Sequence, residues 1–166
     1  MQVLFVGKGK DCRALLAEAI FNHVSRAGCT AGRASCDAPG PPAREALELL
    51  RGQGIAAGDS PPDALPLSSL PHAATGDAPM LVVSVCESRC EGPCPYCDSS
   101  ALRAHWPVHD PLQRHLLPHD PTSELLDVYH ILRARIERSM PLLEGSRAGD
   151  PERLQRELDR IGHFLP

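Results

Sequence analysis

The sequence predicts an α/β fold built on a parallel sheet, and three observations carry that reading. The chain opens with a short apolar run, Gln2 to Val6, followed by a glycine-containing loop and then a stretch with helical apolar spacing. A second apolar run, Met80 to Cys86, is unbroken, as expected of a strand buried on both faces. Along the rest of the chain strand patterns alternate with helix patterns. Such alternation implies parallel strands joined by right-handed crossovers.

The elements follow in order. After the first strand comes the loop Gly7-Lys8-Gly9-Lys10-Asp11. Leu15, Leu16, Ala19, Ile20 and Val24 then recur at helical spacing, and Gly28 just beyond suits a left-handed cap. Thr30 to Cys36 reads as a second, weaker strand. Ala43 to Gln53 reads as a helix, with Pro41 and Pro42 near its first turn and Gly54 at its end. Residues 56–79 are rich in Pro, Ala and Ser, and only a short helix near 63–70 is expected there. Pro79 leads into the third strand, Met80 to Cys86, and a cysteine-rich loop covers 86–97. A fourth short strand falls within Ala101 to Trp106. Ser123 opens a long helix carrying Leu126, Tyr129, Leu132, Ile136, Met140 and Leu143. Asp150-Pro151-Glu152 opens the last helix, with Leu154, Leu158 and Ile161 on one face. In sheets of this kind ligands bind at the C-terminal ends of strands. The loops at 7–13, 36–40, 86–97 and 107–111 all follow strand ends, so they are expected to converge on one site.

Composition bounds the function. A length of 166 residues fits one domain, and a hydrophobic content of 42% suffices for one core. Aromatics are only 4%, so Leu, Val, Ile and Ala must build that core. A net charge of −4 argues against a dedicated nucleic-acid binder. No apolar run approaches the roughly 18 residues that a membrane-spanning helix needs. Met1 to Val6 is too short for a signal peptide and reads as a strand, so a cytoplasmic location is expected. In that compartment seven cysteines read as metal ligands or redox thiols rather than structural disulfides.

Several segments, in the right order, resemble the low-molecular-weight protein tyrosine phosphatases and the thioredoxin-coupled arsenate reductases. The opening Val3-Leu4-Phe5-Val6-Gly7-Lys8-Gly9-Lys10-Asp11-Cys12-Arg13 is similar to that family's strand and Cys-x5-Arg loop. Leu16-Ala17-Glu18-Ala19-Ile20-Phe21 resembles the family's Met-Ala-Glu-Ala-Leu-Phe stretch. His105-Trp106-Pro107-Val108-His109-Asp110-Pro111 resembles the Trp-x-x-x-Asp-Pro segment of arsenate reductases. Val82-Val83-Ser84-Val85-Cys86 with Cys94-Pro95 resembles the two redox cysteines of the thioredoxin-coupled enzymes. The resemblance implies a three-layer sandwich with a four-stranded parallel sheet of order 2-1-3-4 and helices on both faces. It spans 1–145 and leaves 146–166 as a C-terminal helical extension. It implies that Arg13 grips an oxyanion and that Asp110 stands where the general acid stands. It further implies thioredoxin or glutaredoxin as partner and a small oxyanion as ligand.

The anion loop departs from the family at its first residue. There the family carries a thiolate, which a helix N-terminus stabilises and which attacks phosphorus or arsenic. Here the position is Gly7, which offers no nucleophile. Lys10 replaces the usual asparagine, Ala14 replaces the usual serine, and Asp11 puts a carboxylate inside the loop. Like charges about 4 Å apart repel by about 4 kcal/mol at an effective dielectric near 20. Lys8, Gly9, Lys10 and Arg13 remain as an anion-binding set. Cys12 precedes Arg13 near a helix N-terminus and is the one thiol that could replace the nucleophile, or else a small buried residue.

Cys86-x3-Cys90-x3-Cys94-x2-Cys97 places four thiols within twelve residues. Thiolates are preferred ligands of zinc and of iron–sulfur clusters, so Cys86, Cys90, Cys94 and Cys97 form a candidate metal set. The spacing of the last three also matches the radical S-adenosylmethionine cluster motif, whose enzymes need a much larger partial barrel. Cys94-Pro95-Tyr96-Cys97 equals the glutaredoxin active-site tetrapeptide, so dithiol exchange through Cys86, Cys94 and Cys97 is a second reading. Leftover redox cysteines are the third. Cys36 and Cys12 could add ligands, whereas Cys29 precedes the second strand at the opposite end. His105, His109, His115 and His119 cluster around Asp110 without a strong ligand spacing and read as exposed loop histidines, His109 being the first to test. Trp106 and Tyr129 read as packing residues.

The expected function is therefore that of a family-like protein without classical phosphatase activity, holding a metal or iron–sulfur cluster through its cysteine-rich loop. The alternatives are a thiol–disulfide oxidoreductase or arsenate reductase-like enzyme using Cys12, Cys86, Cys94 and Cys97, and a non-catalytic oxyanion-binding module.

Overall fold

A computed structural model of the chain describes residues 1–8, 12–26, 28–35, 41–58, 80–87, 102–112, 121–145 and 150–166. The helix expected near 63–70 and most of the cysteine-rich loop lie outside these residues.

Four strands form one parallel sheet: β1 (Gln2–Gly7), β2 (Thr30–Ser35), β3 (Met80–Ser84) and β4 (Leu102–His105). Their order is β2-β1-β3-β4, as the family resemblance implies. β1 lies centrally, with Val6 level with Ala34 on one side and Ser84 on the other. Ser84 is in turn level with His105. Alternation along a strand then assigns the faces. Val3, Phe5, Leu81, Val83 and Ala104 join one hydrophobic cluster with the helices. Leu4, Val6 and Val82 point to the opposite face and are buried there as well. Burial on both faces explains why β1 and β3 read as unbroken apolar runs.

Four helices follow from the sequence pattern. α1 (Cys12–Val24) buries nearly its whole circumference from Cys12 to Phe21, because it packs on β1, β2 and two further helices. α2 (Arg44–Gly52) buries Ala46 and Leu50 and exposes an Arg44–Glu48 pair at 2.7 Å. Gly54, just past its end, has φ of +72°, a conformation that favours glycine. α3 (Pro121–Gly145) starts two residues before the expected Ser123, since proline suits a first helical turn. It buries Val128, Tyr129, Leu132, Ile136 and Leu143. α4 (Pro151–Gly162) is capped as expected: the Asp150 side chain accepts a hydrogen bond from the Glu152 N–H at 2.9 Å.

Aromatic residues are few, and three of them meet at the centre. Phe5 lies 5.9 Å from Phe21 and 6.2 Å from Trp106, ring centre to ring centre. The Trp106 indole N–H donates to the Leu158 carbonyl at 3.1 Å, which joins β4 to α4. Trp106 and Tyr129 are thus packing residues, as expected.

Both outer strands are finished by a side-chain amide. On β2, the Asn22 amide donates to the Ala31 carbonyl at 3.0 Å and accepts from the Ala31 N–H at 2.8 Å. On β4, Gln155 treats Arg103 the same way, accepting its N–H at 3.1 Å and donating to its carbonyl.

α4 approaches β4 closely through Gly162. A Cβ at that position would overlap the His105 carbonyl oxygen and lie 2.8 Å from Trp106 Cδ1. Gly162→Ala is expected to destabilise the fold by about 1–3 kcal/mol, through overpacking against backbone. Gly52→Ala, in open space within a helix, is expected to be neutral or to stabilise by up to about 1 kcal/mol. Urea unfolding of the two variants checks the contrast.

Candidate functional site at the C-terminal lip of the sheet

Gly7 ends β1 and Cys12 begins α1, both at the C-terminal lip of the sheet. Gly9, Lys10 and Asp11 lie outside the described residues, and Lys8 is exposed. Cys12 is 1% exposed and belongs to the hydrophobic cluster. Arg13, the second residue of α1, is buried and reaches across to the segment after β4. Its Nη1 donates to the Val108 carbonyl at 2.8 Å, and its Nη2 lies 3.7 Å from Asp110 Oδ2. Asp110 Oδ1 accepts the Leu112 N–H at 2.9 Å, which turns the chain back on itself. The two residues that the family resemblance singles out are therefore in contact.

The same segment is held from a second side. Arg135 of α3 is 2% exposed. Its Nη1 donates to the Pro107 carbonyl and its Nε to the Phe164 carbonyl, each at 3.0 Å. Burial pushes the Arg135 guanidinium down to about 10, which leaves it cationic at neutral pH. Arg138 stacks over the Phe164 ring at 3.5 Å and fixes the tail that Arg135 holds. Sequence reading did not find Arg135, because its partners are backbone carbonyls distant in sequence.

Cys86 comes to the lip from β3. The ladder continues past Ser84, with the Val85 N–H donating to the Val6 carbonyl at 3.0 Å. The Cys86 thiol lies 3.9 Å from that same carbonyl oxygen, one residue before Gly7. Thus the end of the first strand and the first residue of the thiol-rich segment adjoin. Cys86 is buried and, like Cys12 and Cys29, is present as a thiol. Cys90, Cys94, Cys97 and Cys36 lie outside the described residues, as do His115 and His119. Among the described residues no group of three or more His, Cys, Asp or Glu side chains is arranged to hold a metal ion. Cys29 precedes β2, at the end of the sheet away from the lip.

Two histidines have defined partners. Ser84 Oγ and His105 Nδ1 are 2.8 Å apart across β3 and β4. His109 Nε2 lies 3.7 Å from Glu124 Oε2 of α3, a buried oxygen with no hydrogen-bond partner among the described residues. Both histidines are partly buried rather than exposed. Sequence reading missed Ser84 and Glu124. Ser84 could have been suspected as the one hydroxyl within an apolar strand.

With this geometry in view, comparison with known proteins decides the family. The model of the family described as low molecular weight phosphotyrosine protein phosphatase matches residues 2–158. The chain belongs to this family. Solved structures agree. The low molecular weight protein tyrosine phosphatase of T. tengcongensis is 26% identical, with 87% of this chain and 99% of that one covered and a TM-score of 0.61. An arsenate reductase from Archaeoglobus fulgidus is 22% identical over 81% of this chain and 98% of its own, at a TM-score of 0.56. An arsenate reductase in the phosphate-binding state is 16% identical over 85% and 97%, at 0.63. No curated protein sequence gives a match. No helix among the described residues is long and apolar enough to cross a membrane.

Arg13 serves a buried carbonyl and a largely buried carboxylate, so its removal leaves the Val108 carbonyl without this donor and Asp110 without its countercharge. Arg13→Ala is expected to cost about 3–5 kcal/mol of stability. Asp110→Asn keeps the acceptor for the Leu112 N–H and is expected to cost about 1 kcal/mol. Denaturant titrations of both variants check the ranking.

Proposed function

We propose that this family member lacks phosphatase activity and uses the thiols of its 86–97 segment to hold a metal ion or an iron–sulfur cluster. One observation carries the reading: Gly7 occupies the nucleophile's position, while Cys86, the first of four clustered thiols, adjoins it. A hydrogen atom cannot attack phosphorus, and covalent transfer needs a sulfur about 3–3.5 Å from the reacting centre. Cys12 does not replace it, because its side chain is packed in the core cluster. Arg13 is engaged with Val108 and Asp110, so oxyanion binding by that guanidinium competes with a fold contact. The chemistry that remains is that of sulfur. Four thiolates closely spaced in sequence are ligands of the kind zinc and iron–sulfur clusters take.

A second reading, thiol–disulfide exchange, is favoured by the Cys94-Pro95-Tyr96-Cys97 tetrapeptide. It also gains from likeness to a thioredoxin-dependent arsenate reductase of Corynebacterium glutamicum, 16% identical over 86% of this chain and 62% of that one, at a TM-score of 0.56. On that reading Cys86, Cys94 and Cys97 cycle with thioredoxin or glutaredoxin, in the cytoplasm.

Purification without oxygen, followed by metal analysis and a visible spectrum, separates the two. Bound zinc, or iron with broad absorption that dithionite bleaches, supports the metal site, and Cys94→Ser is expected to lower the metal content at least severalfold. Colourless, metal-free protein that exchanges disulfides with glutathione, and loses that exchange in Cys94→Ser, supports the second reading instead. In either case phosphate-ester hydrolysis is expected not to exceed the uncatalysed background. Turnover above it would overturn the loss of phosphatase activity.

A further inference from the structure

Residues 159–166 lie beyond the family match, which covers 2–158. They nevertheless bear on the segment after β4, which carries Asp110. Gly162 lies so close to the His105 carbonyl that a Cβ would overlap it. The Phe164 carbonyl shares the buried Arg135 guanidinium with the Pro107 carbonyl, each at 3.0 Å. One turn earlier, the Leu158 carbonyl accepts the Trp106 indole N–H at 3.1 Å. His105, Trp106 and Pro107 are thus each tied to α4 or to the residues after it, Pro107 through Arg135.

This grip is rich in polar contacts and thin in apolar burial. Of the 12 residues of α4 only Leu158, Ile161 and Gly162 are buried. Helices shorter than about 12–15 residues are marginal alone in water, so α4 is helical because it is docked. Segments with few buried apolar contacts open at a lower free energy than the core. Opening α4 takes the Leu158 carbonyl from Trp106 and the Phe164 carbonyl from Arg135. A buried guanidinium that loses an acceptor is costly and turns toward water. Here that turn also withdraws the donor from Pro107.

We propose that α4 and residues 163–166 form a latch that opens as one unit and, through Trp106 and Arg135, loosens the segment carrying Asp110. Closed, the latch holds that segment from the side opposite Arg13 of α1. Open, it leaves Asp110 to the Arg13 contact and the Leu112 N–H. The coupling is reciprocal, so whatever steadies the Asp110 turn also favours the closed latch. The device is independent of whether the thiols of the 86–97 segment hold a metal.

Hydrogen exchange of the full-length protein, followed by NMR at increasing sub-denaturing guanidinium chloride, tests the latch. The amides of His163 and Phe164, bonded to the Arg160 and Ile161 carbonyls, report its opening. The indole N–H of Trp106, the single tryptophan, reports its hold on the end of β4. The Leu112 amide, bonded to Asp110, reports the segment. The Val85 amide, bonded within the sheet, reports global unfolding. In the wild type the first four protons are expected to share one opening free energy and one denaturant dependence, both smaller than those of Val85. Phe164→Ala removes the ring under Arg138 and is expected to raise the opening constant of those four by a common factor of roughly 2–30-fold. Leu165→Ala, at a position 67% exposed, is expected to leave them unchanged. A Leu112 amide that exchanges with Val85, or faster than His163 and Phe164, would overturn the coupling and leave only a fraying tail. All five protons on the global isotherm would overturn the latch itself. Because the isotherms are read in the wild type, the test does not depend on the variants folding.

Discussion

Two buried guanidiniums hold the segment after β4, and the candidate site depends on them. Arg13 reaches it from α1 and Arg135 from α3, and between them they take the carbonyls of Val108 and Pro107. A buried backbone carbonyl needs a donor, and a buried cation needs acceptors in several directions. The arrangement meets both needs at once. It also makes the segment rigid: Asp110 is fixed by Arg13 on one oxygen and by the Leu112 N–H on the other. Because Arg135 also holds the Phe164 carbonyl, the chain's final turn and the site share one anchor.

That rigidity bears on the chemistry. Arg13 donates to the Val108 carbonyl and lies beside Asp110, so its guanidinium contributes to the scaffold. In sequence, Gly7 ends β1 and Asp11 places a carboxylate in the loop that follows. Meanwhile sulfur, nitrogen and hydroxyl groups collect on the neighbouring strand ends, at Cys86, His105 and Ser84.

Much of the fold was legible in the sequence because it rests on periodicity. The apolar runs of β1 and β3 reflect two-sided burial, and the helical spacing of Leu15, Leu16, Ala19 and Ile20 reflects a helix enclosed by the sheet and its neighbours. Asp150-Pro151-Glu152 announced α4 through local hydrogen-bond chemistry alone. Arg13 and Asp110, which the family motif singled out for other roles, lie 3.7 Å apart. What could not be read were side chains that act on distant backbone. Arg135 and Gln155 bond to residues 28 and 52 positions away. No local pattern distinguishes them from solvent-facing polar residues. Gly162 was equally silent, since its role lies in the absence of an atom against His105. His105 and His109 are partly buried rather than exposed for a related reason: they find partners on β3 and α3, which only the register and the helix position reveal.

The amides of Asn22 and Gln155 have a consequence beyond the fold. A parallel sheet ends in two rows of backbone groups that any foreign strand could copy, and such edges invite fibrils, swapped dimers and capture of extended peptides. Here each row meets an imitation of a peptide bond, supplied from a helix, at Ala31 and at Arg103. An intruding strand would have to evict a bidentate amide before its first rung could form.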